Sequence, residues 1–115
     1  MHVLICDDDA AFGARMADYI HDYFEARSVQ LQTVVCTGAP YLELYQLAFL
    51  DVDMPGTNGI ALGRELKQRS PDIRLVYVSA YLEFAPEGYT VNAYRYLLKR
   101  DIARMLPKCL DDLLA

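Results

Sequence analysis

The chain has 115 residues, 54% of them hydrophobic, and carries a net charge of −5 with a pI near 4.8. This length supports one compact domain with a real core and is too short for two. The acidic balance argues against nucleic acid contact, which would need a basic face. No apolar run approaches the roughly 20 residues of a membrane span, and acidic residues follow the N-terminus too soon for a signal peptide, so we expect a cytoplasmic domain without membrane contact.

The first predicted elements are a buried strand and an amphipathic helix. The strand covers Val3 to Cys6, and three acidic residues, Asp7, Asp8 and Asp9, follow it directly. Asp9 is suited to be the N-cap of a helix over Ala10 to Ala26. The apolar positions that recur at helical spacing in this segment are Phe12, Met16, Ile20, Tyr23 and Phe24.

Two more strands follow, with little chain between them. Val29 to Val35 is predicted as the second strand and Leu47 to Val52 as the third, which is apolar on both faces and contains Asp51 near its end. Only Ala39 to Tyr45 remain for the second helix, so we expect it to be short. Asp51 is therefore placed like a reactive carboxylate at the edge of a buried parallel sheet.

The second half of the chain continues the alternation. A helix is predicted over Ile60 to Arg69, and a fourth strand over Ile73 to Val78 that ends at Ser79. A fifth strand over Tyr94 to Leu98 ends at Lys99. Alternation of this kind predicts a parallel sheet with helices on both faces.

Proline and glycine limit the last two helices. The fourth helix must run through Phe84 to Tyr89, which includes a proline and a glycine, so we expect it to be short. Pro107 is tolerable only in a first turn, which predicts that the last helix starts near Arg104 to Leu106.

The predicted strand ends supply two acidic groups, a hydroxyl and an ammonium. Clustered carboxylates repel one another unless a hard cation neutralises them, and Mg²⁺ prefers oxygen ligands. A metal ion and a lysine side by side can stabilise the negative charge of a phosphoryl group during its transfer. A carboxylate can act as the nucleophile that attacks the phosphorus. We therefore expect a magnesium site at which an aspartyl phosphate forms.

The three cysteines, Cys6, Cys36 and Cys109, show no paired spacing. Neither a zinc site nor a disulfide framework is indicated by this pattern. We expect free cysteines that are buried or incidental.

The ordered set of motifs resembles the receiver domain of bacterial two-component response regulators. The motifs are Asp7-Asp8, Asp51, Met54-Pro55-Gly56, Ser79 and Lys99. The segments Val78 to Phe84 and Val91 to Lys99 look like the receivers that precede LytTR-type DNA-binding domains. The resemblance implies an α/β, flavodoxin-like (CheY-like) fold, a doubly wound five-stranded parallel sheet of order 2-1-3-4-5 with a shortened second helix. It also implies that residues 1–115 are a single receiver domain and that the effector domain is absent from this chain.

The resemblance assigns a role to each of these side chains. Asp51 would accept a phosphoryl group from a sensor histidine kinase, and Ser79 and Lys99 would bind the phosphoryl oxygens. Tyr96 corresponds to the aromatic position that changes rotamer with phosphorylation in many receivers. The implied ligands of the Mg²⁺ cofactor are Asp7, Asp8, Asp51 and the backbone carbonyl of Asp53.

The implied activity is signalling and not that of an enzyme, apart from self-catalysed phosphoryl transfer and autodephosphorylation. In this family the face made by the fourth helix, fifth strand and fifth helix often mediates dimerisation, and aromatic residues are enriched at interfaces. The tyrosines near that face are Tyr81, Tyr89, Tyr94 and Tyr96. We therefore expect a homodimer through it, and an output in transcription regulation.

Two other interpretations fit part of the pattern. Asp51-Val52-Asp53 after an apolar strand also resembles the first motif of haloacid dehalogenase-type phosphatases, with Ser79, Lys99 and Asp111-Asp112 following in order. A degenerate receiver that only binds a partner protein is the other alternative.

One position departs from the family pattern. The family usually has a proline after its lysine, and Arg100 stands there instead, which leaves the shape of the Lys99 loop open.

Overall fold

A five-stranded parallel sheet forms the centre of the molecule, and the computed structural model describes residues 1–37, 45–54, 57–80 and 93–114 of the chain. The strands are β1 (His2–Cys6), β2 (Gln32–Cys36), β3 (Leu47–Asp51), β4 (Arg74–Ser79) and β5 (Arg95–Leu98). The helices of the described residues are α1 (Ala10–Glu25), α2 (Gly59–Arg69) and α3 (Ile102–Leu114). The sheet order is β2-β1-β3-β4-β5, which confirms the predicted flavodoxin-like topology.

Each face of the sheet carries its own hydrophobic core, because side chains alternate along each strand. Val3 and Ile5 lie on the face that α1 and α3 cover, whereas Leu4 and Cys6 lie on the face that α2 covers. β3 is buried along its whole length, as expected for a central parallel strand. The sheet is therefore covered on both sides and its strands end at one common edge.

Two predicted helices fall on residues outside the described ranges. These are the second helix, over Ala39 to Tyr45, of which the structure describes only Tyr45, and the fourth helix, through Phe84 to Tyr89. Tyr45 itself is buried in the core on the α2 face. Most other predicted boundaries agree with the structure to within one residue.

The second strand starts later than predicted. Helix α1 begins as expected, with the Asp9 carboxylate accepting a hydrogen bond from the Phe12 amide, but the chain after it turns through Ser28 at a φ of 60°. The Val29 amide then donates to the carbonyl of Phe24 at 3.0 Å, so Val29 closes the helix end. The predicted start at Val29 was wrong because this residue belongs to the helix cap, and β2 begins at Gln32.

The last helix also begins at a different place than predicted. A 3₁₀ turn over Lys99–Asp101 leads directly into α3 at Ile102, so Pro107 lies inside the helix. The prediction that proline sets the helix start was wrong because the buried residues Leu106, Cys109 and Leu110 pack against the sheet and favour the helical path despite the missing N–H. No helix in the described part of the chain is both long and apolar enough to span a membrane.

Two of the three cysteines are paired, contrary to the prediction. Cys6 and Cys36 lie opposite each other on the neighbouring strands β1 and β2, with Cα atoms 4.9 Å apart, and are joined by a disulfide bond. Sequence spacing did not indicate the pair, because strand register brings together residues that are 30 positions apart. Cys109 is a free, buried cysteine as expected, and burial raises its pKa to about 11.

Candidate functional site

An acidic cluster lies at the carboxyl ends of the two central strands. Asp7 directly follows β1 and Asp51 ends β3, and these strands are neighbours in the sheet. Both carboxylates are almost completely buried, with 3% and 4% of their surfaces exposed, whereas Asp8 is exposed. Asp7, Asp8 and Asp51 each present an oxygen within 4.8 Å of the others. The structure thus brings together the three carboxylates that the sequence placed at strand ends.

Lys99 reaches this cluster from the end of β5. Its Nζ atom lies 2.9 Å from Oδ2 of Asp7 and 3.3 Å from Oδ2 of Asp51, so one ammonium bridges both buried carboxylates. Burial disfavours the charged ammonium, but the hydrogen bond to Asp7 and the charge of Asp51 outweigh it, so the pKa of Lys99 is raised. The Lys99–Arg100 peptide is trans, since the described residues contain no cis bond, and the lysine reaches the site without the proline that usually follows it.

Ser79 and Tyr96 lie on the strands next to the cluster. Ser79 is the last residue of β4 and is fully buried, one position beyond Val78, which is the register partner of Asp51. Tyr96 lies on β5, three residues before Lys99, and is 8% exposed within the core on the α2 face. Both residues thus stand close to the sheet edge that carries the carboxylates.

The backbone after Asp51 is shaped by two residues to which the sequence analysis gave no role. The carboxamide oxygen of Asn58 accepts the Ile60 amide at 2.8 Å and caps α2, and the Gly59 amide donates to the Val52 carbonyl at 3.1 Å. A Cβ atom at Gly59 would lie only 2.1 Å from the Asp51 carbonyl oxygen. The Asn-Gly pair before the predicted helix was the available signal, because Asn is a preferred N-cap.

The backbone of Asp53 also lies in this segment. Asp53–Met54 and Thr57–Asn58 form a two-stranded antiparallel pair, in which Asp53 is the partner of Asn58. This antiparallel pair lies between β3 and α2 along the chain. The segment places the Asp53 backbone two residues beyond Asp51 at the same edge of the sheet.

Phe12 has a second role besides its predicted place in the core. The Nζ atom of Lys99 lies 4.7 Å from the centre of the Phe12 ring, a distance typical of a cation–π interaction. The carboxylate of Asp7 is held from another side, because its Oδ1 accepts the amide of Asp9 at 2.9 Å. Side chains and backbone of α1 and its cap therefore orient two of the charged groups.

The chemistry of this donor set fits a hard divalent cation. All three side chains offer carboxylate oxygens, which are the ligands that Mg²⁺ prefers, and two of them are shielded from water. The ammonium of Lys99 offsets part of the repulsion between the buried carboxylates of Asp7 and Asp51. The exposed position of Asp8 leaves one side of the cluster open to solvent.

Comparison with known proteins gives a consistent result. Residues 3–109 match the family model described as the response regulator receiver domain. The chain is 27% identical to accessory gene regulator protein A of Staphylococcus aureus, over 96% of this chain and 51% of that protein. It is 30% identical to the positive alginate biosynthesis regulatory protein of Pseudomonas aeruginosa, over 94% of this chain and 46% of that protein.

A solved structure shares the fold. A response regulator protein of Thermotoga maritima, crystallised in complex with Mg²⁺–BeF, superposes with a TM-score of 0.69 at 18% identity and covers 97% of both chains. The chain spans about half the length of the two regulatory proteins from Staphylococcus aureus and Pseudomonas aeruginosa.

Proposed function

Because the chain belongs to the response regulator receiver family, as its motifs predicted, we propose that Asp51 accepts a phosphoryl group from a sensor histidine kinase in a Mg²⁺-dependent reaction. The observation that carries this proposal is the convergence of Asp7, Asp8 and Asp51 with the ammonium of Lys99. A receiver is a signalling domain and not a classical enzyme. Self-catalysed loss of the phosphoryl group is part of the proposal.

The carboxylates of Asp7, Asp8 and Asp51 would hold the Mg²⁺ ion, together with the backbone carbonyl of Asp53. The three carboxylates can bind one ion together, because each has an oxygen within 4.8 Å of the others. When bound, the ion supplies charge neutralisation for the phosphoryl oxygens.

The chain's own residues supply the nucleophile and its surroundings. Asp51 attacks phosphorus through a carboxylate oxygen, so that the new O–P bond forms while the P–N bond to the kinase histidine breaks and the imidazole leaves. The burial of Asp51 limits the access of competing water to the acyl phosphate. Lys99 is already within 3.3 Å of that carboxylate and can move from an aspartate oxygen to a phosphoryl oxygen. Ser79, at the end of the neighbouring strand, offers a hydroxyl donor to the same group.

The proposed output is a change in the binding surface around β5. Drawing Ser79 and Lys99 towards a new phosphoryl group would shift the strand ends beside Tyr96, which is buried in the unmodified protein. We propose that this face then supports homodimerisation. Residues 1–115 would act as a single cytoplasmic receiver domain that controls a LytTR-type output domain and transcription.

The phosphatase alternative is less well supported by the positions of its acids. Asp112 pairs with Arg95, 3.0 Å away at the start of β5, and Asp111 accepts a hydrogen bond from Tyr23. Asp51 and Lys99 lie at the opposite ends of the strands. The acidic pair after Lys99 therefore cannot join the Asp51 carboxylate, which the order of residues alone had allowed.

The test is phosphoryl uptake from acetyl phosphate with Mg²⁺, followed by intact mass spectrometry. We expect one base-labile phosphoryl group per wild-type chain and none for Asp51→Asn. Asp9→Asn is the matched control, because it removes a neighbouring carboxylate while Asn preserves the helix cap, and it should take up the group like the wild type. Uptake by Asp51→Asn, or no uptake by the wild type, would refute the proposal.

The same reaction separates the two alternatives. A phosphatase would release many equivalents of phosphate from a small phosphate ester, while a receiver retains at most one group per chain. A degenerate receiver would neither gain mass nor bind beryllofluoride in the presence of Mg²⁺.

A further inference from the structure

The Cys6–Cys36 pair stands at the edge of the sheet that carries the acidic cluster. The two residues face each other in register at the ends of β1 and β2, and Asp7 is the next residue in the chain. Their Cα separation of 4.9 Å lies within the range of roughly 4.4–6.8 Å that a disulfide requires. We propose that these cysteines are a reversible dithiol–disulfide site, closed by a peroxide, that sets the Mg²⁺ affinity of the acidic cluster through Asp7.

Burial assigns different roles to the two sulfurs. Cys6 is 1% exposed, whereas Cys36 lies on the edge strand β2 and is partly exposed, so a peroxide reaches Cys36 first. Hydrogen peroxide converts the Cys36 thiol to a sulfenic acid and one water. The Cys6 thiol then attacks that sulfur, which forms the S–S bond and releases the second water. The peroxide is the two-electron oxidant, and a small dithiol reductant reverses the reaction by exchange.

The pair is coupled to the acidic cluster through the backbone. Asp7 follows Cys6 directly, and the Asp7 amide donates to the carbonyl of Cys36 at 3.0 Å. The carboxylate of Asp7 pairs with Lys99, and Asp7 is only 3% exposed. A covalent link between the strands one residue before this ligand restricts its backbone, and a preorganised ligand binds at a lower entropic cost. The oxidised form should therefore bind Mg²⁺ more tightly than the reduced form.

An intracellular location favours a reversible role for the Cys6–Cys36 disulfide over a purely structural one. Inside cells, where we place this domain, disulfides are rare and those present are commonly transient and redox-sensing. A pair that only held the fold together would also be unnecessary here, because both strands already share a full parallel ladder over five residue pairs.

The chemical test counts free thiols in full-length protein with Cys109→Ala, which removes the third, buried cysteine on the opposite face of the sheet. After denaturation, the reduced protein should take up two iodoacetamide groups and the peroxide-treated protein none, and dithiothreitol should restore both. Cys36→Ala in the same background should keep one reactive thiol after the same mild treatment. Two labels after peroxide treatment, or loss of the single label in Cys36→Ala, would overturn the dithiol site.

The coupling test is calorimetric titration with Mg²⁺ in both redox states, and this part depends on the proposed function. Groups that orient metal ligands typically change affinity by about tenfold or more, and we expect a three- to tenfold lower Kd in the oxidised form. Cys36→Ala should show the same Kd with and without peroxide. Equal affinities in the two states of the paired protein would overturn the coupling. If neither state binds Mg²⁺ while labels are still lost, the proposed metal-dependent function fails and the dithiol chemistry stands.

Discussion

Replacing Gly59 with alanine should damage both the stability and the site, because the structure leaves no room for one more carbon there. The new Cβ would lie 2.1 Å from the carbonyl oxygen of Asp51 and 2.9 Å from the Cα of Val52. These are backbone atoms of a central strand and its continuation, so no side chain can rotate away. The clash must instead shift the end of β3 or the start of α2.

We expect Gly59→Ala to lower the free energy of unfolding by about 3 kcal/mol, which is the upper end of the usual range for overpacking. For a domain of this size that loss lowers Tm by roughly 10 °C. Gly13→Ala is the matched control inside α1, because its Cβ would meet Val35 Cγ1 at an ordinary 3.4 Å. Removing a glycine from a helix interior there should raise the free energy of unfolding by about 0.5–1 kcal/mol.

Urea unfolding followed by circular dichroism measures both substitutions, and phosphoryl uptake under native conditions reports on Asp51. We expect Gly59→Ala to lose stability and to take up the phosphoryl group more slowly even where it is fully folded. A loss below about 0.5 kcal/mol, within the range of an ordinary surface substitution, together with unchanged uptake would refute the reasoning about this contact.

Three other substitutions probe the helices around the site. Pro107→Ala restores an N–H that can donate to the Ala103 carbonyl, and urea unfolding should show that the protein is more stable by about 2 kcal/mol. This gain is the roughly 3 kcal/mol penalty of an interior proline less the effect of a more flexible unfolded chain, which is about 0.4–1 kcal/mol. No gain would contradict the assignment of an interior proline. Phe12→Leu removes the ring next to the Lys99 ammonium and should lower the free energy of unfolding by about 1–2 kcal/mol. Phe12→Tyr keeps an aromatic ring there and should leave the free energy of unfolding unchanged. The pKa of Cys109 is raised from 9.0 to about 11 by burial, so its contribution to stability is complete below pH 9 and is lost as pH rises towards 11. Cys109→Ala should therefore flatten this part of the stability–pH curve, and an unchanged slope would argue against a buried thiol.

The existence of the strands, and their alternation with helices along the chain, could be predicted from local pattern alone. Runs such as Val3 to Cys6 are short and apolar on consecutive positions, which is typical of a strand covered on both faces. The structure places β1 and β3 side by side inside the sheet. Helix α1 was predicted within one residue because Asp9 is a strong N-cap. The sheet order itself followed from family resemblance, since periodicity does not specify which strands are neighbours.

Element ends were harder to predict, because backbone caps and packing contacts can override the propensity of a single residue. Val29 has a residue type that favours a strand, yet its amide closes α1. Pro107 disfavours a helix, yet packing of the apolar side of α3 against the sheet overrides that preference. A local backbone cap therefore decided the first boundary, and tertiary packing against the sheet decided the second.

The sequence alone determined that acidic, hydroxyl and ammonium groups follow successive buried strands, and parallel strands necessarily bring such ends to one edge. Only the tertiary structure decided that Lys99 bridges Asp7 across 92 positions of chain and that Cys6 meets Cys36 across 30. These contacts depend on strand order and register. Both are properties of the whole sheet, because each strand is positioned by the burial of all the others, and no local pattern encodes them.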